Sequence, residues 1–339
     1  MRAGAWQEGI GRTDAIELCA RLGLADRMVA LSAAETRAYA DSPLFLGGAF
    51  IRDCAVVQPA RLARGLRRVL LDRGVRIYER STVTGLERSV PSVVRTDHGA
   101  VRADRIVLTH GSWAAGWPEF RRSFAVIVDY VVVTEPIPEL LKEIGWTSQI
   151  GIADGREWLY YLRPTDDGRI AIGGGAGAVV FGGRASGRAV THDRRVAEVA
   201  ARGLLRMFPQ LEGIRFTHAW GGPIDQTAAF VPFYRTLRPG TIHAGLGYSG
   251  HGLSQTFVGG KILASTVLGS EDEWTSLAVN RPETVKVPPE PLRWIGVNAV
   301  ARALERGDAR QEAGRRRGVL NDLIGSGPTA FRDKVVAKD

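Results

Sequence analysis

One stretch constrains this chain more than any other: Thr241 to Gly269, reading TIHAGLGYSGHGLSQTFVGGKILASTVLG. The apolar run Ile242 to Ala244 has the length of a short strand. Four glycines then fall within eight residues, at Gly245, Gly247, Gly250 and Gly252. After them Leu253, Phe257, Val258, Ile262, Leu263 and Val267 recur near helical spacing. A strand, a glycine loop and a helix in succession bring bare backbone N–H groups and a helix N-terminus up to an anionic or electron-rich ligand. Side chains at the glycine positions would hold such a ligand away.

Gly245, Gly247 and Gly250 also spell the G-x-G-x-x-G fingerprint. Its context differs from that of a dinucleotide fold, which needs a further strand after the helix, ending in an acidic residue about 20 positions on. Here the helix runs into SEDEW and then a proline-rich linker. Taken alone, the pattern suits a tight packing turn as well as a phosphate cradle.

A chain of 339 residues can bury a large core, and two closely connected domains are expected. A hydrophobic content of 45% and a charged content of 24% are those of a globular protein. No run reaches the roughly 18 apolar residues of a membrane span, and Met1 to Gly11 has no apolar signal core, so a cytoplasmic protein without a membrane partner is expected. Cys19 and Cys54 have no metal-like spacing, which fits a reducing compartment. His98, His192, His218 and His243 lack ligand spacing, so no metal site is read. The net charge of +9 is spread along the chain, and all but five of the 45 basic residues are arginine. Only Arg310 to Arg317 clusters, without the aromatic interleaving of a nucleic-acid surface, and no nucleic-acid partner is expected.

Along the chain, Ile16, Leu18, Leu22 and Leu24 predict a helix, and Ser32 with Glu35 a capping box. Neither resembles the opening strand of an α/β domain. Such grammar begins at Val56: Pro59 opens a helix whose Leu62, Leu66, Val69 and Leu70 form one apolar face, and Gly74 closes it. Val75 to Tyr78 reads as a strand. Val83 to Glu87 and Ser92 to Arg102 read as an antiparallel addition turning at Asp97 to Gly99. Arg105 to Gly111 is an apolar strand ending at a glycine, as in a buried parallel sheet. From Phe124 the pattern changes: Ala125 to Thr134 is a long β-branched run. Trp158 to Arg163 and Arg169 to Gly173 flank the turn Thr165 to Gly168, and Val196, Val199, Ala200 and Met207 share a helical face. Gly173 to Gly177 reads as a turn leaving a strand, since no helix comes after it. Leu292, Ile295 and Ala299 predict an amphipathic helix packed on the body.

The segments GLGYSGHGLSQTFVGGKILA, VVQPARLARGLRRVLLDRGVRIYERSTVTGLE, ADRIVLTHGSWAAG, VDYVVVTEPI and LYYLRPTDDGRIAIGG together resemble the FAD-dependent D-amino-acid oxidase superfamily, which includes glycine, sarcosine and γ-glutamylputrescine oxidases. The resemblance covers nearly the whole chain, in order. It implies an α/β fold: a partial FAD-binding Rossmann-like domain with an inserted, mostly antiparallel substrate domain. The expected division is 55–118 with 223–270 for the FAD-binding part and 119–222 for the substrate part. Residues 1–54 would pack on the substrate side, and 271–339 would form a C-terminal linker, helix and basic tail. Members begin with a strand, a G-x-G-x-x-G turn and a helix. Gly4 to Gly11 has no strand before it and the wrong spacing for that turn, so the resemblance implies an N-terminally truncated form.

Carried over residue by residue, the resemblance puts Val83 near the adenine, and Thr109, His110 and Gly111 near the diphosphate or ribityl region. His110 stands where the family usually has a small residue. Gly247, Tyr248, Ser249, Gly250, His251, Gly252 and Leu253 would lie against the flavin ring. The chemistry implied is hydride transfer from an amine or amino acid C–H to FAD, then hydrolysis of the imine. Dioxygen or another acceptor takes the electrons. Tyr161 and Arg163 alternate onto one face of a strand, where Arg163 would clamp a substrate carboxylate; a surface ion pair with Asp166 or Asp167 is the other reading of that arginine. Tyr130, Trp220 and Asp225 read as core or turn residues before lining ones. The alternative to an enzyme is a non-catalytic remnant or partner subunit that no longer holds FAD.

Overall fold

A computed structural model describes residues 2–3, 12–238, 240–280 and 285–315. Their contacts divide them into two compact units, one from the described residues within 1–56, 127–223 and 290–330, the other from those within 57–126 and 224–289.

The first unit is built on a mixed, mainly antiparallel sheet, nine-stranded among the described residues. Its long strand is Ala125–Thr134, AVIVDYVVVT, whose β-branched side chains suit a pleated surface. Alongside it lies the hairpin Tyr160–Pro164 and Ile170–Gly174. The hairpin turns at Gly168, φ +74°, where the Arg169 N–H donates to Thr165 Oγ1 at 3.0 Å. One face of this sheet is sealed by the helix Arg194–Met207. Asp193 caps that helix by accepting from the Arg195 and Val196 amides. The helix buries Val196, Ala200, Gly203, Leu204 and Met207, a stripe at helical spacing. Val132, Leu162, Ile170, Ile172, Trp146 and Phe208 complete the core.

Arg12–Arg21 is a helix, and Ser32 and Glu35 form a reciprocal capping box at Ala33–Arg37. The C-terminal helix Leu292–Glu312 departs from its sequence pattern. Leu292 and Ile295 are more than half exposed and Ala299 is also exposed, while Arg293, Ala301, Ala303, Gly307 and Asp308 are buried. The helix is held by small residues and polar bonds instead of the predicted apolar face. Asp308 accepts the Glu157 and Trp158 amides at 3.1 Å each, and Trp294 Nε1 donates to Val179 O.

The second unit contains two three-stranded sheets. In one, Phe233–Arg238 pairs antiparallel with Ile242–Leu246, which pairs parallel with Ile106–Leu108. Its core is Ile106, Leu108, Phe120, Phe124, Phe233, Ile242, Ala244 and Leu246. The other sheet is a meander of Val83–Glu87, Ser92–Thr96 and Ala100–Ala103. The helix Pro59–Asp72 starts at its proline and is succeeded by Gly74 at φ +80°, but its apolar face stays open. Leu62, Leu66, Val69 and Leu70 are 41–55% exposed, and no residue of the helix is buried. Val75 to Tyr78 forms no strand, because no described segment pairs with it. Periodicity gave the helix Pro59–Asp72 correctly but not the strand at 75–78; tertiary partners decide whether such faces and edges are covered.

Candidate functional site

In the second unit, the parallel register sets Ile242 against Ile106, His243 against Val107 and Ala244 against Leu108. Two neighbouring strands running the same way deliver their C-terminal loops to one edge of the sheet, where open α/β sheets bind ligands. Thr109, His110 and Gly111 leave the first strand there, and Gly247 to Gly252 leave the second. Gly111 has φ +54°, and a Cβ on it would meet nothing within 4 Å. His110 stacks at a tilt on Trp117, ring centroids 5.0 Å apart. Its Nε2 is buried and has no hydrogen-bond partner among the described residues. Burial lowers its pKa, which keeps the imidazole neutral at pH 7. Val83 opens the meander sheet and is 44% exposed.

The glycine loop separates into an inward half and an outward half. Inward, the Gly247 N–H donates to Asp225 Oδ2 at 2.6 Å. Burial pushes the Asp225 pKa up, with the Gly247 amide opposing it. Ser249 Oγ accepts the Thr227 N–H and donates to Gly247 O, 3.1 Å each. Gly247 (φ +83°) must be glycine for an internal reason: its Cβ would strike Thr227 and Phe233. The Tyr248 and Tyr234 hydroxyls both lie over Gly259. Outward, Gly250 (φ +84°) and Gly252 have room for a Cβ, with nearest atoms at 3.7 and 3.8 Å. The succeeding helix, Gly252–Leu268, has no side-chain cap, and His251 at its N-cap is exposed. Its first amides therefore need an outside acceptor. Leu253 is 58% exposed beside them.

In the first unit, the face opposite the helix Arg194–Met207 carries polar groups among apolar ones. Tyr161 lies against Gly173 of the adjacent strand and Arg163 against Ala171. The Tyr161 hydroxyl donates to Asp129 Oδ2 at 2.8 Å. Asp129 Oδ1 accepts the Tyr130 and Gly174 amides at 2.8 and 3.2 Å. Burial raises the Asp129 pKa, and burial together with the Asp129 charge raises that of Tyr161, which stays a phenol. Arg163 makes no ion pair among the described residues: Asp167, a partner considered for it, pairs with Arg169 at 2.6 Å. No group of His, Cys, Asp and Glu among the described residues could hold a metal.

Residues 2–266 match the family described as FAD dependent oxidoreductase, DAO. The chain belongs to that family. Among curated proteins it is similar to the probable oxidoreductase OrdL of Haemophilus influenzae, 26% identical over 253 residues, covering 73% of this chain and 54% of the relative. It is likewise similar to the gamma-glutamylputrescine oxidoreductase of Escherichia coli, 29% identical over 224 residues, covering 66% and 50%. The chain thus spans about half the length of these relatives. Among solved structures, a fructosyl peptide oxidase aligns with TM-score 0.68 at 17% identity, covering 84% of this chain and 74% of the other. Glycine oxidase from Geobacillus kaustophilus aligns with TM-score 0.64 at 18% identity, covering 80% and 71%. These likenesses establish the α/β flavoenzyme fold.

FAD is the cofactor of this family, and the second unit fits it. The outward glycines leave space a side chain would fill, the uncapped helix offers amides to an electron-rich edge, and His110 Nε2 lacks a partner among the described residues. The Gly247 amide is already engaged by Asp225. Sequence reading missed the role of Asp225, and it missed Asp129 entirely. One signal was available: Asp129 interrupts the apolar run of VIVDYVVV, and a carboxylate in a strand core is retained only with partners.

Proposed function

We propose that this chain serves an FAD-dependent oxidoreductase that oxidises the C–N bond of an amine or amino acid. The observation that carries the reading is the juxtaposition, at one edge of a parallel strand pair, of Thr109–Gly111 and the open end of the 245–252 loop. When bound, FAD supplies the hydride acceptor. The amides of Gly252 and Leu253 at the helix start would face the flavin ring and favour negative charge on it. Neutral His110 would sit at the ribityl or diphosphate end, and Val83 near the adenine. Arg163, without an ion pair among the described residues of the substrate face, would orient a carboxylate-bearing amine through two parallel hydrogen bonds. The imine product would be hydrolysed by water, with dioxygen or another acceptor taking the electrons.

The same reading leaves the FAD diphosphate without its usual partner in residues 1–339, since the strand–glycine turn–helix unit has no counterpart in their motifs. Ile106–Leu108 is an edge strand among the described residues, with Val107 43% exposed. That open edge supports a second reading, a chain that works only when another polypeptide segment completes its sheet. Titrating the purified chain with FAD and monitoring flavin fluorescence distinguishes them. Tight stoichiometric quenching supports a self-sufficient flavoprotein. Weak binding that becomes tight when a strand–GxGxxG–helix segment is supplied supports the second.

A further inference from the structure

Gly173 lies in the strand between those of Tyr161 and Asp129. A Cβ at Gly173 would collide with the Tyr161 hydroxyl and ring, so the tyrosine lies flat across this strand and reaches a carboxylate two strands away. The sequence pattern alone marks Gly173 as part of a bare turn. The glycine is required by the side chain that crosses it. The phenol is held by a 2.8 Å bond, and the carboxylate by two backbone amides on its other oxygen. The arrangement fixes both polar groups on the sheet face that carries Arg163.

We propose that Asp129 and Tyr161, joined across Gly173, form an amine-recognising subsite, the counterpart of the carboxylate-recognising Arg163. Because the Tyr161 O–H is committed to Asp129, the phenolic oxygen presents its lone pairs and Asp129 Oδ2 retains further accepting capacity. Two acceptors, one of them charged, select an N–H donor and repel a carboxylate. Arg163 stands two residues from Tyr161, roughly 7 Å along the strand, so one face offers an anion-accepting and a cation-accepting point. That pair of points fits a substrate carrying both an amine and a carboxylate. The proposal rests on the substrate-face reading above and assigns the amine end of that substrate.

The test titrates the full 339-residue chain, without added flavin, with n-butylammonium and separately with butyrate, detected by saturation-transfer NMR. The wild-type chain should bind both in the millimolar range. Asp129→Asn should weaken butylammonium at least about tenfold, the loss of a charge-assisted bond, and leave butyrate unchanged. Arg163→Leu should do the reverse. Tyr161→Phe keeps the ring over Gly173 and should weaken butylammonium alone, which separates recognition from a fold defect. Absence of butylammonium binding by the wild-type chain, or equal loss of both probes in Asp129→Asn with an unchanged circular dichroism spectrum, would overturn the proposal. FAD titration of the same preparations reports the cofactor reading independently, so the two can fail separately.

Discussion

The Asp225 carboxylate accepts the Gly247 amide at 2.6 Å, and the carboxylate is buried. This bond turns the glycine loop back on its own unit for three residues before releasing Gly250 to Leu253 outward. The loop is thus shaped from within by the buried Asp225 carboxylate.

Removing that anion should destabilise the second unit. Asp225→Ala leaves the Gly247 amide buried without an acceptor, a loss of roughly 1–3 kcal/mol. Asp225→Asn keeps one carbonyl acceptor and should cost about 1 kcal/mol or less. Urea unfolding at pH 7, monitored by circular dichroism, measures both, and equal values for the two variants would mean that the hydrogen bonds contribute little.

A second buried carboxylate sets a pH dependence. Asp154 accepts the Tyr160 amide at 2.9 Å and is 5% exposed. Burial, aided by the Asp308 charge and opposed by backbone bonds and Arg156, raises its pKa from 3.8 to about 7. For an acid with a raised folded-state pKa, the folded chain holds its proton more tightly than the unfolded one. Its contribution is therefore fully present below about pH 4 and is lost as the pH rises from 4 through 7. Asp154→Asn should flatten that slope, so that the variant gains stability relative to wild type at pH 8 over pH 4. Thermal melts at the two pH values read this difference. A constant offset between the proteins would contradict the assignment.

Much of this architecture was legible in the residues. The β-branched run 125–134, the hairpin turning at Gly168, the capping box at Ser32 and Glu35 and an apolar strand within 105–111, in the structure Ile106–Leu108, are all set by local rules. The parts that stayed illegible depend on a third party. The face of Pro59–Asp72 is amphipathic yet open, and Leu292–Glu312 docks through Asp308 and small residues instead of Leu292 and Ile295. The division of labour within the glycine loop was invisible for the same reason: Asp225 is 22 residues before Gly247 in sequence, and only the fold brings them together.

Specificity should depend on Arg163. In a flavin-loaded enzyme, Arg163→Leu should raise KM for carboxylate-bearing amines by roughly one to two orders of magnitude, the loss of a charge-assisted pair. Simple amines should change much less. Steady-state kinetics with matched amine and amino acid substrates decides the matter; parallel losses would mark the arginine as a fold residue.

The most direct measurement of the central claim is the flavin content of the purified chain. The claim is that residues 1–339 meet the flavin ring through Gly250 to Leu253 and leave the diphosphate to a strand–glycine turn–helix unit outside them. The chain made alone should emerge from gel filtration colourless and inactive. The same chain with such a unit joined ahead of residue 1 should be yellow, with close to one FAD per chain, and an amine or amino acid substrate should bleach its flavin absorbance without oxygen. A soluble, yellow preparation of residues 1–339 with near-stoichiometric FAD would contradict the account, as would a folded, completed chain that stays colourless.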